Sequence, residues 1–249
     1  MSLTPETVLA SLPGWAGAAI DELGGGLTNR TWLIEKDGRK AVLKIDDGIR
    51  GAPYNTRSDE ASIQSTAAQH GLANPVIHAS ERVLLTEYAE GVVWSGDCLE
   101  DDGNIERLAV ALRRLHSLPL TGRTFDAAGA ARDYARRIAN PDAQRVSDCL
   151  RTVESGPRPL NLCFCHNDLV AGNIVNVPQT RFLDWEYACD NDPFFDLATV
   201  AAHHDLNARQ RGVLLDAYFE GRGARWRGQL ARQAAVYEAL SYLWQASRA

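Results

Sequence analysis

Between Ala18 and Ile45, apolar and polar residues alternate through three runs, AAIDEL, RTWLIEK and RKAVLKI. A period of two sends successive side chains to opposite faces of a strand. Asp37-Gly38 divides the second run from the third and is a strong two-residue hairpin signal. Gly24 to Asn29 joins the first two, so three strands are expected, with a glycine turn between the first pair. Ahead of them, Leu3 to Ala10 reads as a short helix ended by Pro13-Gly14. Beyond them, Arg57 to His70 reads as a helix opened by Ser58 or Asp59. Ala73-Asn74-Pro75 then leads into two short strands, the second turning from apolar to polar at Glu87.

The period changes at Asn104. Ile105, Leu108, Ala109, Leu112 and Leu115 form a helical stripe ended by His116 and Pro119, and His116 is expected to be structural. Further helices are expected near Ala130 to Ala139 and Asp142 to Val153, divided by Asn140-Pro141. Gly156-Pro157-Arg158-Pro159 leads into the strand LNLCFCHND. Cys163 and Cys165 alternate there with Leu162 and Phe164, so the C-x-C spacing reads as strand packing and not as a metal site. In the final third, Asn207 with Gln210 reads as a capping box. Leu230, Tyr237 and Trp244 recur at seven-residue spacing with Leu240 between them, a stripe typical of a core.

Composition narrows the functions. With 45% hydrophobic residues in 249, the chain can bury a sizeable core. A net charge of -6, from 32 acidic against 26 basic side chains, speaks against a nucleic-acid partner. The first fifteen residues lack a basic segment and a long apolar core, and no apolar run approaches membrane-spanning length, so no membrane partner and a cytoplasmic location are expected. Five scattered cysteines without C-x-x-C spacing read as reduced, mostly structural thiols. Nothing in the sequence fixes an oligomeric state.

The candidate chemistry lies in Cys165 to Asp184, CHNDLVAGNIVNVPQTRFLD. Phosphoryl transfer needs a carboxylate to accept the proton of an attacking hydroxyl, and oxygen ligands to hold Mg2+ against a polyphosphate. Asp168 is a candidate for the first role, and Asn173 with Asp184 for the second. A His-x-Asp pair alone arises readily by chance; with Asn173 at the right offset and Asp184 ending an apolar run, the constellation is far more specific. Lys44, one of only three lysines, lies in the apolar strand AVLKI, where an ammonium is costly unless it meets an anion. On its own it reads as a side chain snorkelling at a strand edge. With the downstream constellation it reads as a phosphate contact oriented by Glu60. Gly25, Gly26, Thr28 and Asn29 of the glycine turn are candidates to close over ATP, although a triple glycine alone is usually only a flexible turn. No Gly-Lys dipeptide occurs, which excludes a P-loop.

The order H-x-D-x-x-x-x-N followed by a strand-terminal Asp resembles the catalytic and metal loops of the protein-kinase-like fold. The forms FCHND, GNI, LDWEYA and GGLTNR resemble most the choline/ethanolamine kinase branch of the aminoglycoside phosphotransferase superfamily. The resemblance implies an α+β fold with a small antiparallel-sheet lobe carrying one main helix, and a mostly helical second lobe. Residues 1-89 would bind nucleotide and residues 90-249 would carry catalysis and acceptor binding. It also implies Mg2+ as cofactor, ATP as co-substrate and a small-molecule alcohol as acceptor. By the same resemblance, Glu87 and Ala89 would grip adenine through their backbones, and Asp196 would brace the catalytic loop, its other reading being a helix N-terminal charge. Glu186, Tyr187, Asp205 and Trp244, offered by the region after Asp184 and the C-terminal helices, would receive a cationic acceptor, the aromatic rings through cation-π attraction. One position departs from the pattern: where such kinases usually carry a glutamate seven residues beyond the matched Asp196, this chain has His203. Choline, ethanolamine, thiamine and other small alcohols or aminoglycosides stay open as acceptors. A catalytically silent binding protein is the alternative of another class, and the presence of Lys44, Glu60, Asp168, Asn173 and Asp184 together speaks against it.

Overall fold

A computed structural model describes residues 3–24, 30–46, 56–159, 161–177 and 179–248. Gly25, Gly26, Thr28 and Asn29 lie outside the described residues. The chain divides into two compact units, one of Met1–Val92 with Val175–Tyr187, the other of Val93–Ile174 with Ala188–Ala249.

The first unit is built on a five-stranded antiparallel sheet of β1 (Ala19–Leu23), β2 (Arg30–Lys36), β3 (Arg39–Ile45), β4 (Val76–Ala79) and β5 (Val83–Glu87), in the order β1-β2-β3-β5-β4. The expected hairpin is present: Lys36 pairs with Arg39, and Asp37 and Gly38 both hold the positive φ that a tight primed turn requires. Alternation along β3 then decides what each residue meets. Ala41, Leu43 and Ile45 join Trp32, Ile34, Val83 and Leu85 in a core capped by Val8 and Leu9 of α1 (Pro5–Ser11), with Leu12 and Trp15 after it. Lys44, out of phase with that set, projects from the opposite face, towards α2 (Arg57–Gln69).

Helix α2 begins one residue before Ser58. Thr56 is its N-cap, accepting the Asp59 N–H, while the Asp59 carboxylate accepts the Thr56 N–H at 2.9 Å. This reciprocal box satisfies donors that the first turn leaves unpaired. Later in the chain, Gln179–Phe182 forms a strand of this unit, followed by the 3-10 turn Trp185–Tyr187. Phe182 N–H donates to Leu72 C=O at 2.8 Å, and Arg181 donates to the Asn74 side-chain oxygen at 3.2 Å, which fixes the approach to Asp184.

The second unit is mostly helical. It contains α3 (Asp102–His116), α4 (Ala127–Arg137), α5 (Ala143–Glu154), α6 (Pro193–His203), α7 (Ala208–Tyr218) and α8 (Arg227–Ala246). All five members of the α3 stripe are buried. Helix α6 is buried on every side from Phe194 to Ala201, as a central helix must be. Asp192 caps it and Pro193 opens it, where the missing N–H costs nothing. The capping box of Asn207 with Gln210 opens α7 as the sequence implies. Phe195 of α6, Tyr134 of α4, Val153 of α5 and Val236, Leu240 and Leu243 of α8 make one core, against which Tyr237 and Trp244 pack. A short antiparallel ribbon pairs Cys163–Cys165 with Cys189–Asn191, just ahead of His166 to Asp168. Among the described residues, no helix is long and apolar enough to cross a membrane.

Candidate active site

In the first unit a chain of opposite charges runs from β3 to α2 and to Asp184. The Lys44 ammonium lies 2.7 Å from Asp184 Oδ1 and 3.9 Å from Glu60 Oε1. Burial alone would lower the Lys44 pKa, but Asp184, Glu60 and Glu186 outweigh it and hold it above the ordinary lysine range. Glu60 is fully buried and accepts from Arg57 Nη1 at 2.6 Å, and the other guanidinium nitrogen of Arg57 pairs with Asp46. Arg57 is itself buried, so these charges meet one another away from the surface. Asp184 has a positive φ of 60°, in the left-handed region that aspartate enters more readily than most non-glycine residues.

Glu186 was expected beside an acceptor offered by the C-terminal helices. The structure sets it in the first unit, 2% exposed on the Trp185–Tyr187 turn, where its charge acts on Lys44. Tyr187 is half-buried on the same turn. The turn follows Asp184 directly, and α2 packs against it, which keeps both side chains with the sheet unit.

In the second unit, Asp196 organises the loop that leads to Asp168. Its two carboxylate oxygens accept the backbone N–H of His166 at 2.9 Å and that of Asn167 at 2.7 Å, while His116 Nε2 lies 3.0 Å from Oδ2. His116 Nδ1 meets the Tyr218 hydroxyl at 2.7 Å. Burial alone would raise the Asp196 carboxyl, but the hydrogen bond and charge of His116, helped by His166, hold it below the usual range. Both sequence readings of Asp196 are met at once: it sits in the first turn of α6, and it braces the loop. Asn167 holds a positive φ of 65°, fixed by its bond to Asp196 and by Asn191 Nδ2 donating to its side-chain oxygen at 2.8 Å.

That brace presents Asp168 and Asn173. Asn173 Nδ2 donates both to the Asp168 carbonyl at 2.9 Å and to its carboxylate Oδ2 at 3.0 Å. Using the amide nitrogen this way leaves the Asn173 amide oxygen as the atom to offer a cation. An amide oxygen such as that of Asn173 and a carboxylate such as that of Asp184 are each hard oxygen donors of the kind Mg2+ takes. Tyr237, read from sequence as core, has its hydroxyl pushed up to about 12 by burial and by the charge of Asp168.

Glu87 N–H donates to Pro75 C=O at 2.9 Å and its carbonyl accepts from Asn74 Nδ2 at 3.0 Å; Ala89 is buried two residues on. His203 and Asp205 lie at the exposed C-terminal end of α6. Partial desolvation outweighs the Asp205 charge and lowers the His203 pKa from its ordinary value. Trp244 packs against the α8 core with the Arg248 guanidinium 4.5 Å from its ring centroid.

Sequence reasoning gave no role to Arg57. His116 and Tyr218 were beyond reach, since their partners lie 80 and 102 residues away along the chain.

Residues 19–231 match the model of the phosphotransferase enzyme family. Protein LicA of Haemophilus influenzae is 30% identical over 207 residues, covering 78% of this chain and 61% of that protein. A thiamine kinase of Salmonella typhi is 29% identical over 199 residues, covering 78% of this chain and 68% of that protein. The crystal structure of a choline/ethanolamine kinase family protein from Mesorhizobium loti superposes with a TM-score of 0.76 at 27% identity, covering 96% of this chain and 83% of that one. The fold is thus the protein-kinase-like one, and the chain belongs to the phosphotransferase enzyme family.

Proposed function

We propose that this chain is a Mg-ATP-dependent small-molecule kinase that phosphorylates the hydroxyl of a choline-like amino alcohol. The observation that carries it is the Asp168–Asn173 pair braced by Asp196, in a chain that also supplies the Lys44–Glu60–Asp184 cluster. Both clusters would serve one reaction. Asp168 accepts the proton of the acceptor hydroxyl as its oxygen bonds to the γ-phosphorus of ATP, and the bond to the β–γ bridging oxygen breaks to release ADP. Lys44, charged and held by Glu60, contacts the phosphates. Asn173 and Asp184 would hold Mg2+, which when bound offsets phosphate charge. Glu87 and Ala89 would grip adenine, and the residues Gly25, Gly26, Thr28 and Asn29 would cover the nucleotide.

A second acceptor, thiamine, is favoured by His203. A neutral imidazole holds a compact cation less well than a carboxylate, and an aromatic heterocycle depends less on charge. The kinship with a thiamine kinase points the same way. Release of ADP measured across choline, ethanolamine, thiamine, an aminoglycoside, neutral sugars and a peptide decides between these. Stimulation by an amino alcohol or thiamine is expected; stimulation by sugars or peptide alone would overturn the reading.

A further inference from the structure

We propose that His116, Cys163 and Cys165 form a binding site for a borderline-soft divalent cation of the zinc and cadmium class, at the base of the catalytic loop. From spacing alone, C-x-C reads as strand packing, because the third ligand comes from α3, forty-seven residues earlier in the chain. Among the described residues, one donor atom from each of the three lies within 4.8 Å of the other two. Cys163 and Cys165 share one face of their strand, with Sγ atoms 3.5 Å apart. A cation about 2.3 Å from each sulfur would see an S–metal–S angle of roughly 100°, near the tetrahedral arrangement that zinc adopts.

The histidine is prepared for the same role. Asp196 already accepts two backbone N–H bonds, so it meets His116 Nε2 as an acceptor, and the ring proton belongs on Nε2. A protonated ring that gives up its second proton keeps Nε2–H on Asp196 and frees the lone pair of Nδ1, where the Tyr218 hydroxyl now lies at 2.7 Å. A carboxylate behind a histidine whose other nitrogen faces the metal is the usual supporting arrangement at zinc sites. On binding, the Tyr218 hydroxyl leaves Nδ1, and both thiols release their protons to solvent. In the metal-free protein those thiols lie 3.6 Å from the Asn191 carbonyl and 3.7 Å from that of Asp192, so each has an acceptor until the cation takes its place. Cys165 is buried, whereas Cys163 is partly exposed and gives the ion a way in.

Titration of the full chain with Cd2+, followed by thiolate-to-cadmium charge-transfer absorption, tests this. One equivalent per chain is expected to produce the band. Cys163→Ala should abolish it, and Cys149→Ala should keep it. In the unmodified protein, Cd2+ should slow alkylation of Cys163 several-fold relative to Cys98 and Cys149, read by peptide mass spectrometry, which removes dependence on how a variant folds. Absence of the band, a band unchanged by Cys163→Ala, or equal protection of all three cysteines would overturn the site.

Discussion

The carboxylate of Asp196 accepts the backbone N–H of Asn167 at 2.7 Å, with Asn167 held at a φ of 65°. A buried acid is thereby spent on two amide donors and one imidazole, and the gain is a loop that presents Asp168 in one conformation. Replacing Asp196 by alanine strands the N–H groups of His166 and Asn167, each costing about 1–3 kcal/mol when buried without a partner. The expected loss for Asp196→Ala is at least about 2 kcal/mol of unfolding free energy by denaturant titration. A loss within experimental error of zero would show that the brace does not bear on stability.

Arg57 lies between Asp46 and Glu60, all three buried. Arg57→Met removes the cation and leaves two buried carboxylates, so a destabilisation of about 3–5 kcal/mol is expected. The same variant should bind Mg-ATP more weakly, because Glu60 would no longer be held for Lys44. Denaturant unfolding and calorimetry check the two effects separately.

Asp184 should be needed for metal-dependent nucleotide binding. In Asp184→Ala, Mg2+ is expected to give no gain in ATP affinity by titration calorimetry, whereas the native protein gains substantially. An unchanged Mg-ATP affinity would remove Asp184 from the ligand set.

His204 provides a pH signature. Burial, with a smaller contribution from His203 and opposed by Asp205 and the Leu169 backbone, lowers its pKa from 6.5 to about 4. The unfolded chain binds this proton and the folded chain does not, so stability is unaffected above pH 6.5, falls as pH drops towards 4, and levels off below. His204→Asn should flatten that slope in unfolding measured at steps between pH 7 and 4. An unaltered slope would place the acid sensitivity elsewhere.

Local chemistry made much of this legible beforehand. Asp37-Gly38 specifies its turn because both residues tolerate positive φ, and the α3 stripe specifies its burial because helical period and apolar spacing agree. Asp168, Asn173 and Asp184 could be picked out as candidates because phosphoryl transfer restricts residue type and order together; their roles are part of the proposal. What escaped depends on tertiary contact. The burial of Arg57, the approach of His116 to the Cys163 and Cys165 thiols, and the placement of Glu186 beside Lys44 each join segments whose adjacency no local pattern encodes. At His203, partial burial lowers the pKa below its ordinary value, an effect of packing that the sequence does not carry.

The most direct test of the account is phosphate transfer by Asp168→Asn. Native protein and variant would be incubated with Mg-ATP and each of choline, ethanolamine and thiamine, and the phosphorylated acceptor quantified by mass spectrometry alongside Mg-ATP affinity by calorimetry. The native chain should phosphorylate at least one acceptor. The variant should retain Mg-ATP binding and lose about 10²-fold or more in turnover, since general-base catalysis typically contributes that much. A variant that keeps most of its turnover, or a native chain that binds Mg-ATP and phosphorylates none of the three, would contradict it.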